Sequence, residues 1–308
     1  MYKSLFLAFN LLLTKASAQT LQIKNDTRIG HRSLYPYTVE VSTNTAYVVF
    51  DKPAILGKEE PNGWNVYKLD TKRKFNITAS ATARIEGMNG GRKIILLGSG
   101  KSGSHRKAIV RDLDDLTKGK EIISTRKFFK KVLRNSKGQF RKLNIQAATS
   151  AGKILVLANA PAYGAHKDNY IILTGVDFYK QQDLLGPNIS DIRIRKFPLY
   201  EGTDALAITG FTYVPQKKLL LFTAIRKVSG LETESFIGWI SDFDSKINDL
   251  QWKADKIFPL PDLAPAFAYK RIESIAFESI NNNALTMRLL ADDGKLGARL
   301  YTVVLNLP

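Results

Sequence analysis

Apolar residues in this chain come in short bursts bounded by turn residues, without the 3.6-residue rhythm of long amphipathic helices. One burst is Lys93-Ile94-Ile95-Leu96-Leu97-Gly98, preceded by Arg84-Ile85-Glu86-Gly87-Met88 and the turn Gly90-Gly91-Arg92. The same order returns as Asn144-Ile145-Gln146-Ala147-Ala148 before Lys153–Ala158, and as Ala207-Ile208-Thr209-Gly210-Phe211 before Lys218–Thr223. It returns again as Arg271-Ile272-Glu273-Ser274-Ile275 before Ala284–Leu289, while a more divergent copy reads Tyr37–Val41 before Ala46–Phe50. Each copy continues into a looser β-like segment (65–69, 107–110, 170–173, 237–240 and 300–305) and then into another, such as 74–78 or 191–195.

Four short strands per copy, in five copies spaced by about 60 residues, predict an all-β fold, a five-bladed β-propeller. The last copy ends at Pro308 with three strands, and Thr20–Lys24 is the expected fourth. Closing the ring in that way removes free sheet edges, which otherwise template aggregation. A six-bladed ring is the alternative, and an open two-sheet sandwich fits less well. Asp112–Leu133 departs from the strand pattern and reads as a loop with one helical turn, or as an excursion at a blade edge.

The N-terminus predicts export. Lys3 precedes the apolar stretch Leu5–Leu13, and Ala16-Ser17-Ala18 offers small residues to a signal peptidase. Residues 1–18 are the expected signal peptide and 19–308 a single propeller domain, secreted or periplasmic. The apolar run is far shorter than the roughly 20 residues a membrane helix needs, so no transmembrane segment is expected after cleavage. A hydrophobic fraction of 44% implies a real core, and the absence of cysteine excludes disulfides, thiolate metal sites and thiol nucleophiles. A monomer is the expected state. The sequons at Asn25, Asn76 and Asn188 matter only in a eukaryotic secretory route.

The net charge is +18, and its densest run is Arg126, Lys127, Lys130, Lys131, Arg134, Lys137, Arg141 and Lys142, with Phe128, Phe129 and Phe140 between them. Such a run can attract a polyanion, or simply be a solvated face of a basic protein. Export argues against nucleic acid as the partner.

The segments Leu96–Gly100 with Arg106, Leu143–Ala148, Ile208–Tyr213 with Leu220–Ala224, and Ile272–Ile275 resemble an uncharacterised family of bacterial secreted phytase-like propellers. The resemblance implies the propeller and no settled activity. Family members often carry a glutamate where Gln146 stands and another soon after the strand ending at Thr223. Here those places hold an amide and Ile225-Arg226-Lys227. Both departures weaken the transfer of a carboxylate-rich metal site.

The first strand of each blade lines a propeller's channel, so Glu86, Gln146, Thr209 and Glu273 are expected to form one polar ring. Glu86 and Glu273, with Asp292 from the Asp-Asp-Gly turn, are candidate ligands for calcium, a hard cation that favours oxygen. A structural ring holding backbone groups or water is the competing reading. The loop Gly98–Arg106 could cradle an oxyanion, or be a plain turn. It is not a P-loop, because Ile95 stands where the first glycine belongs. A serine-hydrolase reading fails on the missing Gly-x-Ser-x-Gly pattern. The function expected is a propeller binding an anionic small molecule or a protein partner at the channel mouth, through Ser99, Arg106, Gln146, Asn159, Thr209 and Arg226. The alternative is a metal-dependent, phytase-like phosphoester hydrolase.

Overall fold

The computed structural model describes residues 19–29, 35–50, 55–69, 77–84, 91–117, 121–161, 167–176, 178, 192–227 and 233–307. An N-terminal strand β1 (Leu21–Ile29) is followed by β2 (Pro36–Ser42), β3 (Thr45–Phe50), β4 (Ile55–Glu60) and β5 (Gly63–Lys68), which make the first blade. The second blade is β6 (Ile77–Arg84), β7 (Arg92–Gly98), β8 (Lys107–Asp112) and β9 (Glu121–Ser124), after which comes helix α1 (Arg126–Asn135). The third is β10 (Ile145–Ala151), β11 (Ile154–Asn159), β12 (Asn169–Gly175) and β13 (Arg193–Phe197). A small ribbon, β14 (Tyr200–Glu201) and β15 (Asp204–Ala205), leads to the fourth: β16 (Ala207–Val214), β17 (Leu219–Lys227), β18 (Thr233–Ile240) and β19 (Lys256–Pro259). The fifth blade is β20 (Arg271–Asn281), β21 (Ala284–Asp292) and β22 (Ala298–Asn306), completed by β1.

The protein is therefore a five-bladed β-propeller. Its closure is the one the sequence predicts: Leu21 pairs with Leu305, and the pairing runs to Ile29 opposite Ala298. Burial follows the same geometry. The core divides into five clusters, each lying between two neighbouring blades. The cluster holding Val39, Val48 and Phe50 with Leu290 and Leu300 joins the first blade to the last, so the ring is closed by apolar contact as well as by strand pairing.

Two readings need correction. The outer strand of the first blade is β5, and Ile77 opens β6, the inner strand of the second blade; residues 74–76 of the expected segment 74–78 lie outside the described residues. The register set by Arg84–Met88 is accordingly displaced. The cause is size: Thr78-Ala79-Ser80-Ala81-Thr82-Ala83 carries no bulky apolar residue, so the apolar-burst signal passes over it. Second, the stretch at 112–133 holds β9 and the first eight residues of the ten-residue helix α1, whose Phe128, Phe129 and Val132 are buried between the second and third blades.

Candidate functional site

Every inner strand carries a β-bulge at the same place. Register shifts fall at Tyr37 in β2, Thr78 in β6, Gln146 in β10, Thr209 in β16 and Glu273 in β20. A bulge leaves one residue unpaired and bends the strand, so the five residues occupy equivalent places at the starting ends of the inner strands. Three of the four positions expected to form a ring are thus equivalent. Glu86 lies outside the described residues, and Thr78 holds the second blade's place.

These starting ends are mostly satisfied from within. Gln146 Nε2 donates to Asn144 Oδ1 at 2.8 Å, and Thr209 Oγ1 donates to Thr223 Oγ1 at 3.0 Å. Asn159 is fully buried and accepts from Asn144 N at 2.6 Å. Arg226 is ion-paired with Glu234, lies 3.6 Å from Asp204 and stands over the Phe236 ring. Ser99 is buried with its Oγ 3.1 Å from His105 Nδ1. Arg106 donates through Nε to Gly100 O at 3.1 Å, and Gly100 N donates to His105 O, so the glycine and serine loop is tied to itself.

The metal candidates fare similarly. Glu273 is ion-paired with Arg271, and Asp292 accepts from Gly294 N at 2.9 Å. Burial pushes the Glu273 carboxyl up to about 7 against the pull of Arg271. Asp292 faces a small cleft of about 330 Å³ lined also by Tyr269, Lys270, Arg271 and Asp293, and Glu273 is not part of that lining. Among the described residues no three His, Asp or Glu side chains converge as a metal site requires.

The larger cavity, about 530 Å³, opens at the opposite end of the channel. All five inner strands line it with their finishing halves: Glu40 and Ser42 from β2, Thr82 from β6, Thr149 and Ser150 from β10, Thr212 and Tyr213 from β16, Phe277 and Glu278 from β20. Glu40 is the carboxylate at its floor. It accepts from Ser80 Oγ at 2.8 Å and from Thr82 N at 3.2 Å. Behind Ser80 the hydroxyls continue to Thr38 at 2.7 Å and from Thr38 to Ser274 at 3.3 Å, which itself accepts from Val39 N. Burial outweighs these donors and pushes the Glu40 carboxyl up to about 7.

At the rim, Arg92 opens β7 and donates through Nη1 to Ser42 Oγ and Thr43 Oγ1, each at 2.9 Å. It meets no carboxylate among the described residues. Glu278, by contrast, is neutralised by a two-pronged pair with Arg288, both contacts at 2.8 Å. The described residues of the cavity therefore bring together a guanidinium with no carboxylate partner among them, a carboxyl that burial holds above its usual range, several hydroxyls and two aromatic edges. Sequence reading missed it. The available signal was Glu40 itself, an acid between Val39 and Val41 on an inner strand, where the other four blades place Ala81, Thr149, Thr212 and Ala276.

A family model described as a family of unknown function (DUF6910) matches residues 72–294, most of the chain. The chain belongs to DUF6910. No curated protein matches it in sequence. Among solved structures, this DUF6910 member is similar to Myxococcus xanthus glutaminyl cyclase, with a TM-score of 0.54 at 8% identity over 94% of this chain and 98% of that one. It is also similar to the β-propeller domain of Cps50 (Swd1) from Myceliophteria thermophila, with a TM-score of 0.45 at 11% identity over 94% and 100%. These likenesses concern the fold alone.

Proposed function

We propose that this DUF6910 propeller is an exported binding protein that seats a small, hydroxyl-rich anion in the 530 Å³ cavity, with Arg92 as the anchor for the charge. The observation that carries the reading is Arg92, held in place by two hydroxyls and free of any carboxylate among the described residues at the rim of a cavity built by all five blades. A guanidinium fixed in this way is a ready partner for a carboxylate or phosphate. Thr149, Ser150 and Thr212 line the same cavity, Ser150 donating to Thr82 O and Thr212 accepting from Phe277 N, and Tyr213 and Phe277 supply apolar edges, a combination typical of small polar ligand sites. Export rests on the leader pattern of residues 1–18, which lie outside the described residues. No described helix is long and apolar enough to cross a membrane.

The phosphoester-hydrolase alternative has less support. Its carboxylates sit at the other mouth, where Glu273 is committed to Arg271 and Asp292 to a backbone amide. The glutaminyl cyclase shares the fold at 8% identity, which carries no activity across. The test is thermal stabilisation by glucuronate and glucose 6-phosphate set against glucose, in the parent protein and in Arg92→Gln. Stabilisation by the two anions, absent with glucose and lost in the variant, supports the reading. Equal effects of the three sugars, or an unchanged response in Arg92→Gln, reject it.

A further inference from the structure

Residues 126–142 hold eight cations and no carboxylate, and the cavity uses none of them. On α1 the apolar residues Phe128, Phe129 and Val132 face inward between the second and third blades. Arg126, Lys127, Lys130 and Arg134 are exposed, as are Lys137, Arg141 and Lys142 beyond the helix. With a turn of about 100° per residue, the helical cations fall within an arc of roughly 140° opposite the buried side. Among the described residues Arg126, Lys130, Arg134, Lys137, Arg141 and Lys142 have no carboxylate partner.

The cationic surface extends onto the neighbouring loop. Gly100 lies tightly against Phe129 and Leu143: an added Cβ would stand 3.3 Å from the first and 3.1 Å from the second. Thr125 N donates to Arg106 O at 3.0 Å, which sets Arg106 beside the start of the helix, and Lys101 is exposed on the same loop.

We propose that this face is a docking surface for an acidic polysaccharide. Charge complementarity is the first argument, since uncancelled like charges on a fixed scaffold attract a polyanion at long range. The second is what the face lacks. Helices that bind membrane surfaces push an apolar side into the lipid, but the apolar side of α1 is consumed by the core. Single-stranded nucleic acid is held by bases stacked on exposed aromatics, and Phe128, Phe129 and Phe140 are all buried. What remains is contact with charge alone, arranged in a row: cations four residues apart lie about 6 Å apart along the helix axis. A linear chain with an acid group on its sugars can follow that row.

The placement adds a consequence. α1 joins the outer strand of the second blade to the inner strand of the third, at the starting ends of the inner strands, so it lies on the opposite face of the disc from the cavity. A polymer held there leaves the cavity open to solvent.

The experiment is retention on immobilised polygalacturonate at low salt, with dextran as the uncharged reference. Lys130→Glu/Arg134→Glu/Lys137→Glu is compared with Lys68→Glu/Lys253→Glu/Lys256→Glu, which changes net charge equally at exposed sites on other blades. The proposal expects at least tenfold weaker binding in the first variant, binding within about twofold of the parent in the second, and steep loss with added salt. The neutral variant Lys130→Gln/Arg134→Gln repeats the comparison should the triple reversal fail to fold. Equal loss in both charge-reversal variants, or none in the first, overturns it. So does preference for phosphatidylglycerol vesicles or a DNA oligonucleotide over polygalacturonate.

Discussion

Val39 N donates a 3.2 Å hydrogen bond to Ser274 Oγ, tying the inner strand of the first blade to that of the last across 235 residues of sequence. The same hydroxyl meets Thr38 Oγ1 at 3.3 Å. Ser274→Ala strands a buried amide, and the loss of one such partner costs about 1–3 kcal/mol. Urea unfolding should show the free energy of unfolding fall by that amount, while Ser279→Ala, on an exposed position of the same strand, should leave it almost unmoved.

Glu40 predicts a stability that declines with rising pH. Its carboxyl titrates near 7 in the folded protein against an ordinary value of 4.5. Below about pH 4 it is protonated in both states and has no effect. Between those values the unfolded chain releases the proton first, so unfolding gains, and above 7 the penalty is constant at ~3 kcal/mol. Glu273, raised to about 7 as well, acts in the same direction. Melting curves from pH 4 to pH 8 should show the decline, and Glu40→Gln should flatten a large part of it. A slope unchanged by that substitution would contradict the assignment.

At Gly210 two inner strands approach closely. A Cβ there would stand 2.7 Å from Ile275 N and 2.8 Å from the Ser274 Cα. Those are backbone atoms that cannot turn aside. Gly210→Ala should therefore destabilise by about 1–3 kcal/mol through overpacking, despite replacing glycine in a strand with a residue of lower conformational entropy. An alanine variant that melts with or above the parent would show that the blades can separate at this point.

The Glu278–Arg288 pair links fold and cavity. Both side chains are largely buried, and Arg288 also donates to Thr302 Oγ1 at 2.7 Å. Arg288→Met leaves Glu278 uncompensated, at a cost of ~2 kcal/mol or more. The double replacement Glu278→Gln/Arg288→Met should recover much of that loss. The single variant also adds a negative charge at the rim, so any anion bound there should be held less tightly; the double variant should bind it as the parent does.

How far the sequence reveals this molecule depends on what each strand must do. Second strands such as Lys93–Gly98 and Leu219–Thr223 are packed on both faces, so they are runs of large apolar residues and legible at once. Outer strands such as β5, where Val66 is 58% exposed, carry little pattern, and the inner strand β6, an alternation of threonine, serine and alanine between Thr78 and Ala83, carries no apolar burst at all. That single misreading placed Glu86 where Thr78 stands. The bulge positions Gln146, Thr209 and Glu273 were visible as repeat equivalents, but their commitment to Asn144, Thr223 and Arg271 depends on side-chain partners that periodicity does not encode. The cavity was hidden for a related reason: Arg92 reads as a turn residue, and only the packing of the second blade on the first brings it to Ser42 and Thr43.

Because β1 completes the sheet begun by β20, the final blade cannot be built until residues 298–306 have been made. Blades one to four can settle in order of synthesis, each from contiguous chain. Residues 21–29 must wait through the whole of that interval as an unpaired strand, exposed to chance partners. The ring therefore snaps shut late and all at once, and a circularly permuted chain that begins at Ala207 and joins the present ends through a linker would let that blade assemble early.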